Sequence, residues 1–198
     1  RLLNGNYSLL AKINPHKVAN ILKYSTWALG SKGLILGQAL DLSGEMTKSF
    51  ESLTLTHRLK TARLIQTSLV GSVLLCDKTL QPVDLKLLKS LHRLGDHMGV
   101  AFQLLDDLCE LVDEQLSQHE DEVNPWPRFT KECEECLNSS LIYIEDFFNK
   151  YECENLKMVY GLYLNKIKTL VTGSESVIEK HIGADLLPIM RSLNTLSS

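Results

Sequence analysis

The feature that most constrains the fold of this chain is the stretch Gly99-Val100-Ala101-Phe102-Gln103-Leu104-Leu105-Asp106-Asp107-Leu108-Cys109-Glu110. At 3.6 residues per turn, Gln103, Asp106, Asp107, Glu110 and Glu114 fall at offsets of three and four and share one stripe. Met98, Leu105, Leu108 and Val112 line another, so the period is helical, with acids on one side and core on the other. Like charges at these offsets cost a bare helix a few tenths of a kcal/mol per pair, so the stripe needs open solvent or a cation. Gly95 and Gly99 let a second backbone approach closely, and Phe102 and Leu105 are expected to be buried. Carboxylates projecting from a packed bundle helix suit Mg²⁺, a hard ion that bridges a few carboxylates to substrate phosphates.

The rest of the chain keeps the helical period. Residues 1–12 suit a helix, which Asn14-Pro15 ends before starting another, because Asn caps helices and Pro is accepted at the first helical position. Val18, Ile21, Leu22, Trp27, Ala28 and Leu29 form the next expected buried face. Gly30 to Leu42 is expected to continue helically despite Gly30, Gly33 and Gly37, whose use is close packing or access to the backbone. Ser43-Gly44 ends that element, a short polar link follows, and His57-Arg58-Leu59-Lys60-Thr61 opens a helix running to Leu74. Residues 77–83 connect to the central helix; His92, Arg93, Asp96 and His97 read as outer-face residues on it. Asn124-Pro125-Trp126-Pro127 is a helix break. Helices follow over Phe129–Tyr151, with Leu137, Leu141, Ile144 and Phe148 in the core, over Leu156–Val171, and over Glu175–Leu196 with an interruption at Pro188. No alternating apolar pattern is long enough to compete as a strand, so the fold class is all-α.

The acidic stretch closely resembles the second aspartate-rich motif of the trans-isoprenyl (polyprenyl) diphosphate synthases, approximately Gly-x-x-Phe-Gln-x-x-Asp-Asp-x-x-Asp. Glu110 stands where that motif ends in aspartate. Upstream, Gly37-Gln38 with Asp41 resembles the family's Gly-Gln-x-x-Asp segment, and Lys60-Thr61 resembles its Lys-Thr element, in the same order along the chain. Alone, Lys60 reads as a solvated lysine and Asp41 reads equally as a hydrogen-bonded buried group. The resemblance implies an isoprenoid-synthase-type helical bundle around a central cavity, in one domain over residues 1–198 with its N-terminal helices missing.

It also implies the chemistry: prenyl transfer from an allylic diphosphate to isopentenyl diphosphate. Asp106 and Asp107, with Glu110, hold Mg²⁺ against the diphosphate; Lys60 and Thr61 contact the diphosphate; Gln103 positions substrate or metal-bound water; Gln38 and Asp41 line the cavity. The family's first aspartate-rich motif is absent, since no Asp or Glu precedes Asp41. The family's Gly-Lys pair after the second motif is also absent. These 198 residues alone are therefore expected to be inactive. Two function classes follow: a prenyltransferase, or a non-catalytic subunit that regulates an active homologue, with the chain as homodimer or heterodimer accordingly. A class I terpene cyclase would need an Asn-x-x-x-Ser-x-x-x-Glu-like segment, and Asn138, Ile142 and Asp146 do not supply one.

Composition narrows the alternatives. A net charge of −3 with mixed signs gives no electrostatic case for nucleic acid. No apolar run approaches a membrane span, so no stable membrane insertion is expected. The five cysteines are odd in number and sit in helical patterns, which suggests reduced thiols and a cytoplasmic setting. Cys133 and Cys136 have zinc-like spacing without a second pair, and read as two thiols on a helix.

Overall fold

The computed structural model describes residues 15–76, 84–116 and 123–195, and every regular element among them is helical. In chain order these are α1 (Pro15–Leu29), α2 (Leu34–Leu42), a 3₁₀ turn (Glu45–Lys48), α3 (Phe50–His57), a π-helical turn (Arg58–Ala62) and α4 (Arg63–Cys76). Then come α5 (Leu85–Glu110), α6 (Trp126–Lys150), α7 (Glu154–Val171), α8 (Glu175–Ile182) and α9 (Leu187–Thr195). The expected helix over residues 1–12 and the connections at 77–83 and 117–122 lie outside the described residues.

The axis of the bundle is α5, 26 residues long, started by Asp84, whose carboxylate accepts from the Lys86 N–H at 2.8 Å. It packs between α4 and α6, and α1 packs on the outer side of α4. Leu94, Leu104, Leu105 and Leu108 of α5 are fully buried and meet Leu137, Leu141, Ile144 and Phe148 of α6, with Leu164 and Val171 of α7 completing the core. Each such leucine contributes about 1.5–3 kcal/mol of burial. Trp126, wholly buried at the start of α6, donates its indole N–H to the Leu104 carbonyl at 2.7 Å. Trp126→Phe removes that bond and leaves a void where the larger ring packed, so stability should fall by about 2 kcal/mol in denaturant titration. An unchanged midpoint would deny the bond any structural weight.

Several expectations from the sequence change in three dimensions. Gly30 to Gly33 form a turn instead of continuing the helix, a path that needs glycine at 33, where a Cβ would fall 1.9 Å from the Ala28 carbonyl oxygen. The stretch from Ser43 to His57 is not a polar link: it folds as the 3₁₀ turn and α3, capped by the Ser49 hydroxyl accepting from the Ser52 N–H. Phe102 and Trp27 are exposed at 39% and 40%, not buried. Phe102 stacks on Tyr163 at 5.6 Å, and the Trp27 ring lies 4.3 Å under the Arg63 guanidinium, so each keeps a partner while facing solvent. The C-terminal pair α8 and α9 is broken at Gly183, whose φ of +65° ends α8, and Pro188 lies in the first turn of α9.

Two of the four residues placed on the outer face of α5 are instead packed between helices. His92 accepts or donates through Nδ1 to the Tyr24 hydroxyl at 2.8 Å across to α1, and His97 stacks on Tyr143 of α6 at 4.3 Å. Asp96 bonds to Arg58 at 3.1 Å, which ties the π turn to α5. The described cysteines Cys109, Cys133, Cys136 and Cys153 are free thiols, and Cys133 is buried in α6.

Candidate functional site

The site begins with a backbone squeeze. Ideal Cβ atoms at Gly37 and Gly99 would lie 2.5 Å from the Lys60 nitrogen and 2.4 Å from the Ala62 Cα. Only residues without a side chain let α2 and α5 close on the turn between them from either side. That turn is π-helical: the Arg63 N–H reaches back five residues to the Arg58 carbonyl. Adjacent residues on it therefore serve opposite helices. Lys60 donates to Asp41 of α2 at 2.7 Å, and the Thr61 hydroxyl donates to the Gln103 amide oxygen of α5 at 2.5 Å.

One turn earlier, His57 is buried beside Asp107, with Nε2 3.7 Å from Oδ2. Burial, then the Lys60 charge, lower the His57 pKa to about 4 against a smaller upward pull from Asp41. Burial, then the Glu110 and Asp106 carboxylates, raise the Asp107 pKa to about 8 despite Lys60 nearby. The pair is thus neutral near pH 7 and not an ion pair. Neither His57 Nδ1 nor Asp107 Oδ2 has a hydrogen-bond partner, although both are buried.

The acidic stripe divides. Asp107 turns toward His57 and Lys60 with 15% of its side chain exposed, while Asp106 is exposed on the neighbouring flank. On that flank burial, then Tyr160, then Asp106 push the Tyr163 phenol upward. Glu110 is the last residue of α5 and its Oε2 accepts from Asn124 Nδ2 at 3.2 Å; Glu114 lies beyond the helix. Gln38 is exposed on α2, three residues before Asp41. A cavity of about 620 Å³ opens among α1, α4 and the N-terminal half of α5, lined by Tyr24, Trp27, Val70, Leu74, Leu88 and His92, with Lys23, Lys89 and Arg93 at its edge.

Among the described residues no three His, Cys, Asp or Glu side chains form a ready metal cage. The donors present nonetheless fit Mg²⁺. That ion is commonly held by one or two carboxylates plus phosphate oxygens, and the exposed Asp106 carboxylate and the Asp107 carboxylate, whose Oδ2 has no hydrogen-bond partner, are donors of that kind on adjacent residues. A cation there would also offset the Glu110 and Asp106 repulsion that adds to burial in raising Asp107.

Residues 2–121 match the family profile described as polyprenyl synthetase. The chain belongs to that family. It is 27% identical over 116 residues to the farnesyl diphosphate synthase of Geobacillus stearothermophilus, an alignment covering 56% of this chain and 37% of that enzyme. It is 36% identical over 84 residues to the geranylgeranyl diphosphate synthase of Pantoea ananas, covering 42% of this chain and 26% of that enzyme. The fold aligns with a geranyltransferase from Helicobacter pylori at a TM-score of 0.52 and 25% identity, over 98% of this chain and 57% of that one. A second structure of the Helicobacter pylori geranyltransferase, described as complexed with magnesium and isoprenyl diphosphate, aligns equally well. The chain thus spans little more than half of this structural neighbour and well under half of these two relatives.

Of the residues singled out from sequence, the fold gathers Asp41, Lys60, Thr61, Gln103 and Asp107 around the π turn and leaves Asp106 and Gln38 open to solvent. Sequence reasoning missed His57 and Asn124. His57 was legible as one helical turn before Lys60. Asn124 was not, since its partners lie across a helix break.

Proposed function

We propose that this chain forms the second-aspartate-motif half of a prenyltransferase site that joins isopentenyl diphosphate to an allylic diphosphate. The carbon–oxygen bond of the allylic diphosphate breaks, with its electron pair leaving on diphosphate. The double bond of isopentenyl diphosphate forms the new carbon–carbon bond, and loss of a proton restores an alkene. Magnesium held by Asp106 and Asp107 would supply Lewis-acid stabilisation of the leaving charge. Lys60 binds a diphosphate oxygen, and Gln103, fixed by Thr61, orients the substrate. The cavity lined by Trp27, Val70 and Leu74 holds the apolar chain away from water. Along α5 its His92 wall is about 16 Å from Gln103 at the usual rise of about 1.5 Å per residue.

The observation that carries this reading is the double clasp at the π turn, in which Lys60 and Thr61 reach Asp41 and Gln103 from one backbone segment. With Mg²⁺, isopentenyl diphosphate and an allylic primer, the full-length protein should form longer prenyl diphosphates. Lys60→Gln should raise the KM for the allylic diphosphate by about 10- to 100-fold, the worth of one charge-assisted hydrogen bond. Its thermal midpoint should change little, because the Lys60 side chain is 38% exposed.

A second reading has its own observations: Lys60 is already engaged by Asp41 at 2.7 Å, and Glu110 stands where the family's motif ends in aspartate. It makes the chain a non-catalytic subunit paired with an active homologue. Absence of turnover with any primer, together with a rise in the activity of an added homologue, would select it.

A further inference from the structure

Beyond the break that ends α5, the chain turns back along the last two turns of the acidic helix. Asn124, 1% exposed, donates through Nδ2 to the Asp107 backbone carbonyl at 2.6 Å and to Glu110 Oε2 at 3.2 Å. Its Oδ1 accepts from the Trp126 N–H at 3.1 Å, and the Trp126 indole bonds to the Leu104 carbonyl at 2.7 Å. Carbonyls 104 and 107 are one turn apart on the helix, so the segment from 124 to 126 contacts one face of it. The C-terminal carbonyls of a helix lack intrahelical partners, and a buried amide that satisfies one of them fixes where the helix ends.

We propose that Asn124 is a positioning residue for the acidic motif: by holding both the Asp107 main chain and the Glu110 carboxylate, it fixes the last turn of α5 from which the acidic side chains meet a metal-bound diphosphate. The proposal rests on the reading of Asp106 and Asp107 given above. An aspartate at position 110 would be one methylene shorter, and Glu110 reaches the Asn124 amide with the length it has. Residues that orient metal ligands from behind are as consequential as the ligands, and their loss commonly costs about 10- to 100-fold in metal affinity.

The test is calorimetric titration of Mg²⁺ into the full-length protein with inorganic diphosphate, at a temperature where circular dichroism shows the native helical spectrum. Asn124→Ala should raise the Mg²⁺ concentration for half-saturation by about tenfold or more. Asn124→Asp, which keeps the shape but sets a carboxylate against Glu110, should raise it at least as far. Asn124→Ser, shorter but still a donor, should lie between wild type and Asn124→Ala, and it carries the comparison if the other variants do not fold. A lower thermal midpoint with an unchanged Mg²⁺ titration would overturn the proposal and reduce Asn124 to a helix cap. If wild type itself takes up no Mg²⁺ with diphosphate, the reading of Asp106 and Asp107 fails as well, and the two failures are told apart by the wild-type trace.

Discussion

Asp106→Ala in the full-length protein should lower the rate of prenyl transfer by at least about 10²- to 10³-fold, the usual cost of removing one preorganised group that stabilises developing charge. Asp106 is the exposed acid of the pair, one helical turn beyond Gln103, whereas Asp107 is packed against the buried His57. Its loss should therefore leave stability within about 0.5 kcal/mol of wild type, as for surface substitutions generally. A rate defect without a folding defect is the signature of a metal or substrate ligand. Product analysis with isopentenyl diphosphate and an allylic primer, run across a Mg²⁺ series, measures the first quantity, and thermal denaturation the second. Wild-type turnover from Asp106→Ala would remove this carboxylate from the chemistry.

Gly99→Ala is expected to produce the largest structural effect. The added methyl would sit 2.4 Å from the Ala62 Cα and Cβ, contacts that no side-chain rotation can relieve because both are fixed to the backbone. Overpacking of this kind costs about 1–3 kcal/mol. The displacement also separates the π turn from α5, so the Thr61–Gln103 bond should break and activity should fall with stability. The comparison is Gly71→Ala, where nothing lies within 4 Å of the new methyl and helix propensity favours alanine by about 1 kcal/mol. If Gly99→Ala matches Gly71→Ala in denaturant titration, the close approach of α5 and the turn is not what holds the site.

Magnitude explains why these two changes differ in kind. Asp106 is solvated, so its removal is felt only where a charge must be stabilised. Gly99 is buried in a contact that positions three site residues at once, and interiors are packed too densely to absorb a methyl group at that distance.

The helical period of α5, the core leucines at 105 and 108, a break at Asn124-Pro125 and the order of Gln38, Asp41, Lys60, Thr61, Gln103, Asp106 and Asp107 were legible from residue spacing and motif resemblance, although the helix resumes at Trp126 and not at Phe129. Each depends on local repeats or on residues a few positions apart. So did the expectation that Gly37 and Gly99 admit another backbone, because only a missing side chain allows it. Tertiary structure alone decided what approaches them: the π turn, which sends Lys60 to one helix and Thr61 to another. It also decided that Asp107 is buried beside a neutral His57 while Asp106 faces solvent, since adjacent helical residues differ by about 100° in direction and only the packing of neighbours says which direction is inward. The hold of Asn124 on Glu110 belongs to the same class, because a hydrogen bond across a chain reversal leaves no period in the sequence.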